Sequence, residues 1–395
     1  MPVPWRDAMS QALYGPDGFF VASAGPADHF RTSVHVSPAF ATALLRLVVE
    51  VDSALGHPPR LDVVDVGAGR GELLTSLAVA VAVRRSPDDA AAVTARSSLA
   101  ERVRFTAVEY ADRPENLPKE IRWTTEIPGE ITGVLLATEW LDNVPLDVAV
   151  KTTDGWRYVL VEPESGVETL GEPVDAADLD WLTTWWPGPT NPASSASNPG
   201  LGSTWSDATS ASGSGFGAAR PAEGSSLTAR SRPGCPETPH SAHRAEIGRP
   251  RDEAWADAVR KIERGLAVAV DYGHLRDSRP VDGTLTGYRG GRQVSPVPDG
   301  SSDVTAHVAM DSVASAGAAV ARCAYSLSLQ SEALRALGAD GGRPPLSLAG
   351  TDPAGYVRAL AAASAVAELT DPAGLGGHWW LRQPVGIPLP PAVAR

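Results

Sequence analysis

An α/β fold built on a Rossmann-like parallel sheet is predicted for this 395-residue chain by three observations. Apolar, β-branched runs recur at Leu61–Leu74, Val103–Tyr110, Ile131–Thr138 and Gly265–Gly273. Segments of helical character separate them, which is how a chain connects parallel strands. The first run also breaks into glycines and then into a helix, so a turn with exposed backbone sits at the carboxyl end of a strand, where open α/β sheets hold their ligands.

That first run reads L-D-V-V-D-V-G-A-G-R-G-E-L-L. Gly67 lets the chain leave the strand with an unusual backbone, Gly69 lets a ligand touch main chain, and Gly71 lets the following helix pack closely. A dinucleotide fingerprint needs G-x-G-x-x-G, and its third glycine would fall where this chain has Glu72. A pyrophosphate would be repelled there. G-x-G-x-G preceded by Asp65 instead suits a ligand with a zwitterionic amino-acid tail and no phosphate, such as S-adenosyl-L-methionine. Asp65, Gly67, Ala68, Gly69 and Gly71 are therefore candidate cofactor residues. Glu109 closes the second strand, where an acid accepts hydrogen bonds from a ribose diol. The polar insertion at 84–102 explains its distance from the glycines.

The other elements follow in order. Residues 5–14 suit a short helix, followed by the aromatic turn Y-G-P-D-G-F-F. D-H-F-R-T-S-V-H-V-S-P-A-F (28–40) precedes a helical stretch from Ala39 to Leu55. Ser37 before Pro38 suits an N-cap, and Thr32 and Ser33 are either caps or further cofactor contacts. A helix runs from Gly71 to Val83. The Ile131–Thr138 strand enters E-W-L-D-N-V-P, so Glu139, Asp142 and Asn143 face the same crevice as Gly67, and two carboxylates three residues apart can converge on one cation. Val148–Val161 reads as a hairpin turning at Asp154–Gly155. From Pro187 to about Pro250 the chain is Ser, Pro, Gly and Ala without aliphatic periodicity, the composition of a disordered insertion. A helix near Glu253–Arg264 then precedes the strand ending in Asp271. Helical segments at Gln330–Leu337 and Gly355–Leu369 lead to H-W-W-L-R-Q, expected to be an edge strand. The implied division is 1–56 as an N-terminal cap segment, 57–186 and 251–395 as two parts of the core, and 187–250 as the insertion.

Composition narrows the functional classes. A net charge of −13 disfavours a nucleic-acid partner, which needs clustered Lys and Arg. No run approaches the roughly 20 apolar residues that span a bilayer, and the N-terminus lacks a signal-peptide core; a cytoplasmic location is expected. Two cysteines, Cys235 and Cys323, support neither a disulfide framework nor a cysteine-rich metal site.

Seven stretches together, Y-G-P-D-G-F-F, D-H-F-R-T-S-V-H-V-S-P-A-F, D-V-G-A-G-R-G-E-L, T-E-W-L-D-N-V-P, V-D-Y-G, G-T-L-T-G-Y-R and D-V-T-A-H-V, resemble the MidA family of S-adenosylmethionine-dependent methyltransferases. They occur in family order and span nearly the whole chain outside the insertion. Thr138-Glu139 stands where Asn-Glu is commoner in the family, and Asn143-Val144-Pro145 where Ala-Leu-Pro is commoner. The resemblance implies a Rossmann-like class I methyltransferase sheet with a smaller, mainly helical cap. It also implies a protein substrate, because mitochondrial members are complex I assembly factors similar to protein arginine methyltransferases. Glu139 and Asp142 are the leading candidates to orient a guanidinium; Asp271 and His307 stand behind them. Glu139 could also touch the amino-acid tail of the cofactor. A non-catalytic cofactor-binding assembly factor and a small-molecule methyltransferase are the rival readings.

Overall fold

The computed structural model describes residues 1–22, 32–83, 98–187, 243–339 and 341–390. The apolar runs become neighbouring strands of one seven-stranded sheet: β1 (Leu61–Val66), β2 (Val103–Val108), β3 (Ile121–Thr124), β4 (Ile131–Thr138), β5 (Ile262–Asp271), β6 (Ser326–Leu329) and β7 (Trp379–Val385). Their order is β3-β2-β1-β4-β5-β7-β6. β7 alone runs against the rest, antiparallel to both β5 and β6. The strand order reverses at β1, with β2 added on one side and β4 on the other, so the crevice opens above the carboxyl end of β1.

Side chains alternate across this sheet and sort its two faces. Val63, Val134, Leu136, Leu266 and Val268 pack with helices α2 (Pro38–Ala54) and α3 (Glu72–Val83). Val64, Leu135, Ala137, Ala267 and Ala269 pack with α5 (Arg249–Arg260) and α6 (Met310–Ala321) on the opposite face. Ser37 caps α2 as its sequence suggested, accepting from the Ala39 amide at 3.1 Å with Pro38 in the first turn.

Helices of the smaller part are joined by a sheet of which the sequence showed only the central hairpin. Its five strands are Val3–Pro4, Asp147–Thr152, Gly155–Val161, Glu168–Pro173 and Arg244–Ile247, all paired antiparallel. Helix α1 (Trp5–Tyr14) lays Trp5, Ala8, Met9 and Leu13 on this sheet and on Val304 and Ala306. A three-stranded sheet, Thr286–Arg289 between Arg292–Val294 and Asp303–Thr305, extends toward the crevice. It carries the second polar wall of the site.

Two expectations are corrected. Residues 243–250, placed by the sequence in the insertion, are structured: Glu246 accepts from the amide of Leu285 at 2.6 Å and the hydroxyl of Thr284 at 2.7 Å, tying its short strand into the fold. The rest of the inferred insertion, 188–242, and the 84–97 part of the other insertion lie outside the described residues. The closing strand β7 is interior and not an edge, since the short Ser-Leu-Ser-Leu strand β6 pairs along its outer side. Trp380 and Leu381 on it are fully buried. No described helix is long and apolar enough to cross a membrane.

One carboxylate joins the two parts of the molecule. Asp252 on α5 accepts from the indole N–H of Trp181 on α4 (Ala176–Trp185) at 2.7 Å and from the Ser312 hydroxyl on α6. Its other oxygen has no partner, and burial lifts its pKa to about 6. A carboxyl raised above its unfolded value binds protons preferentially in the native state, so this contribution to stability is present at low pH and lost as pH rises through about 6. Asp252→Asn should therefore gain stability relative to the parent between pH 4 and pH 7, by on the order of 3 kcal/mol. Denaturant unfolding at both pH values measures it; parallel pH profiles for the two proteins would show that Asp252 does not titrate there.

Candidate active site

A cavity of about 2100 Å³ opens above the carboxyl ends of β1, β2, β4 and β5. Drug-sized ligands occupy roughly 300–1000 Å³. There is room for a nucleoside cofactor and a second reactant together.

The half above β1 and β2 is built from main chain. Gly67 and Gly69 both lie in the left-handed region, at φ +71° and +58°. A Cβ on Gly67 would meet the Trp140 ring at 3.1 Å, whereas one on Gly69 would have only the Glu72 carboxylate nearby, at 3.5 Å. Gly69 thus presents bare backbone to the cavity. Amides of Gly67 and Ala68 donate to Val108 O of β2, and Gly71 closes the turn on Ala68 O at 2.8 Å. Glu109 accepts from the Gly69 amide at 3.0 Å and the Tyr110 amide at 2.7 Å. Burial raises its pKa in spite of these bonds. A carboxylate has about four acceptor sites, so Glu109 keeps capacity for the hydroxyls of a ribose. Asp65 is buried in the wall at the foot of the turn with Oδ1 lacking any donor. Its pKa is pushed well up by burial, then by Glu72 and Glu109. An unsatisfied buried acceptor calls for a hydrogen-bond donor, which the ammonium group of an amino-acid tail supplies. Glu72 also lines this half, as the exclusion of a pyrophosphate requires.

The half above β4 and β5 is acidic. Glu139 follows β4 with φ +53°, a conformation uncommon outside glycine, and its amide donates to Val270 O at 2.8 Å. Its carboxylate accepts from the Ser33 amide at 3.4 Å. Asp142 is buried, accepting at Oδ2 from the hydroxyls of Tyr272 and of Thr305, the latter at 2.7 Å, while Oδ1 has no partner. Asp303 accepts from the Asn143 amide group at 2.7 Å. Burial raises the pKa of Asp142; burial and then the Asp142 charge raise those of Asp271 and Asp303.

Among these acids lies one fully buried guanidinium. Arg251 donates from Nη1 to Ala306 O at 2.9 Å and His307 O at 3.1 Å, from Nε to Val144 O at 3.2 Å, and from Nη2 to Asp142 O. All of these acceptors are backbone carbonyls. It pins the loop after β4 to the loop after Asp303–Thr305 and leaves the carboxylates for another cation.

The structure gathers most of the residues singled out in the sequence. Asp65, Gly67, Ala68, Gly69, Glu109, Thr32, Glu139, Asp142 and His307 line the cavity. Three do not. Gly71 starts α3 behind the turn, and Ser33 turns its hydroxyl to Gln330 in the core, with Gln330 Nε2 donating at 3.1 Å. Asp271 is fully buried and accepts from the Leu141 and Asp142 amides at 3.0 and 3.3 Å. Its place is that of a positioning residue. Tyr272, Asp303 and Thr305 also line the cavity, and within V-D-Y-G and D-V-T-A-H-V nothing local marks them as site residues. Arg251 and His378 had no sequence signal, since one borders a low-complexity stretch and the other opens a strand.

A seven-stranded sheet with one reversed strand, a glycine turn after β1 and an acid after β2 define the class I S-adenosylmethionine-dependent methyltransferases. Residues 43–327 match the family described as "Putative S-adenosyl-L-methionine-dependent methyltransferase", and the chain belongs to it. S-adenosyl-L-methionine is its cofactor. Among solved structures it is similar to a COG1565 superfamily member from Burkholderia thailandensis bound to S-adenosyl-homocysteine, with 20% identity, TM-score 0.67, and 100% of this chain and 91% of the other covered. A native structure of a COG1565 superfamily protein from the same organism gives 21% identity and TM-score 0.65, covering 100% and 90%. No curated protein matches.

The open approach to Gly69 generates a test. In Gly69→Val the branched side chain would occupy the cavity while meeting no backbone of the protein, and left-handed strain costs roughly 1–2 kcal/mol. Calorimetry should show S-adenosyl-L-methionine binding weakened at least about tenfold, that is 1.4 kcal/mol, in a variant that still folds. Unchanged affinity would remove the cofactor from the glycine turn.

Proposed function

We propose that the chain is a protein arginine methyltransferase, as its resemblance to the MidA family suggests, and that it works in the cytoplasm. The observation that carries this reading is the acidic wall above β4 and β5: Glu139, Asp142 and Asp303 line the cavity there, Asp142 keeps an oxygen without a donor, and the buried Arg251 beside them spends its hydrogen bonds on main chain. Such a wall favours a cationic acceptor and disfavours nucleic acid or a carboxylate. The volume beyond what a cofactor needs suits a side chain delivered on a polypeptide.

The bound cofactor supplies an electrophilic methyl on a sulfonium. The protein's task is to present a nucleophile that is poor by nature, since a guanidinium delocalises its lone pairs and has a pKa above about 12. Asp142 and Glu139 would grip it through paired hydrogen bonds, which fixes the orientation of one nitrogen; alignment of this kind is worth about 7–11 kcal/mol in well-oriented cases. Asp271 keeps the Leu141 and Asp142 amides in place, and Tyr272 with Thr305 fixes the Asp142 rotamer. Because burial raises the pKa values of Asp142 and Asp303, acidification neutralises these two acids before ordinary surface acids and weakens the wall's hold on a cation.

Incubation with methyl-labelled S-adenosyl-L-methionine and lysate from a strain lacking the protein tests the proposal. Label is expected on arginine nitrogen of a protein, by peptide mass spectrometry. Asp142→Asn should lower kcat/KM at least about tenfold with cofactor affinity within twofold, the pattern of an interaction with the acceptor. Label on a small molecule would favour the small-molecule reading; cofactor binding without transfer would favour an assembly factor.

A further inference from the structure

Tyr272, whose hydroxyl holds Asp142, is flanked by two histidines. The His307 ring lies 5.2 Å from the Tyr272 ring at 67°, and the His378 ring 5.6 Å away at 56°. Both histidines line the cavity. His378 is buried, yet its Nδ1 has no hydrogen-bond partner. Its main chain is fixed on both sides, with its amide donating to Leu375 O at 3.1 Å and its carbonyl accepting from the Gln330 amide at 2.7 Å. A rigidly held imidazole with an unsatisfied nitrogen is costly as mere packing, because a buried polar group without a partner loses about 1–3 kcal/mol. His307 is positioned by a longer chain of contacts: its amide donates to the Thr284 hydroxyl, which in turn donates to Glu246. Burial lowers the pKa of both, that of His378 to about 4. They are neutral near pH 7, and a neutral imidazole has one nitrogen able to accept a proton.

We infer that His378 is a catalytic residue that accepts a hydrogen bond from the methyl acceptor and takes the proton which the acceptor nitrogen releases. The inference rests on the arginine reading of the site. An arginine nitrogen that gains a methyl uses a lone pair for the new N–C bond, while the C–S pair returns to sulfur. Its N–H pair stays on nitrogen and the proton passes to the imidazole lone pair. Two positive charges enter, sulfonium and guanidinium, and two leave, methylguanidinium and imidazolium. The sulfonium charge disappears as the imidazolium forms, so the number of positive charges that the acidic wall faces does not change during the step.

The test uses N-acetyl-arginine-methylamide as acceptor probe, with the full chain and S-adenosyl-L-methionine. His378→Ala is expected to lower kcat about a hundredfold, the lower end for loss of a general base, with KM within threefold. Added imidazole should restore a measurable part of the rate, and S-adenosyl-homocysteine affinity by calorimetry should match the parent. His378→Gln, which keeps a polar side chain but no proton acceptor of comparable basicity, should fall as far as His378→Ala. A wild-type rate in His378→Ala would overturn the inference and leave the arginine reading intact. Loss without imidazole rescue, at whatever cofactor affinity, would reduce His378 to packing. Failure of the parent protein both to bind the probe when loaded with S-adenosyl-homocysteine and to methylate it would overturn the arginine reading and this inference with it.

Discussion

The Arg251 guanidinium is the constraint on which the acceptor half of this molecule depends. A buried cation is tolerated only where its donors are satisfied and counter-charge is near. Here the donors go to four main-chain carbonyls, those of Asp142, Val144, Ala306 and His307, and the counter-charge stands off in Asp142, Asp271 and Glu246. One side chain thus fastens the turn after β4 to the loop that carries Thr305 and His307. Had Arg251 paired with Asp142 directly, the wall would have been neutralised from within.

The remaining strain of the site follows from that arrangement. The Asp142 charge adds to burial in raising the pKa values of Asp271 and Asp303, and Glu139 holds a left-handed backbone conformation beside them. Each is unfavourable in isolation, at about 1–3 kcal/mol for a strained backbone residue. Packing on both sheet faces compensates, because β1, β4 and β5 are buried along nearly their whole length. The rigid sheet delivers the ends of its strands to fixed points, and those points are where Asp65, Glu139 and Asp271 project. Above β1 and β2 the cavity wall is a glycine turn tied to β2 and to the Glu109 carboxylate, and above β4 and β5 it is unbalanced charge, so the two halves use different physics.

How much of this was legible in the sequence varied with the kind of force involved. The β1 turn was readable because left-handed backbone and close approach demand glycine, and Gly67, Gly69 and Gly71 recorded that demand directly. Strands β1, β4 and β5 were readable because burial on both faces writes a continuous apolar run. By contrast, β6 and the Arg244–Ile247 strand are four residues each, too short to show a period, and they form because neighbours already in place offer hydrogen-bonding edges. Asp142 was legible as an acid at a strand end, but not its pairing with Tyr272 and Thr305, which are 130 and 163 residues away. Ser33 looked like a ligand contact and instead turns into the core, since nothing local distinguishes a hydroxyl facing a cavity from one facing Gln330. Arg251 was invisible for the same reason: all of its partners are distant backbone, and backbone carries no sequence signal.

The central claim is electrostatic, that the wall above β4 and β5 selects a cation. Two peptides identical except for one residue, arginine in one and its neutral isostere citrulline in the other, test it most directly when titrated calorimetrically into the protein loaded with S-adenosyl-homocysteine. Arginine is expected to bind at least about tenfold more tightly, with the difference shrinking as pH falls and the buried carboxyls take up protons. Equal binding of the two, or a preference for citrulline, would contradict the account.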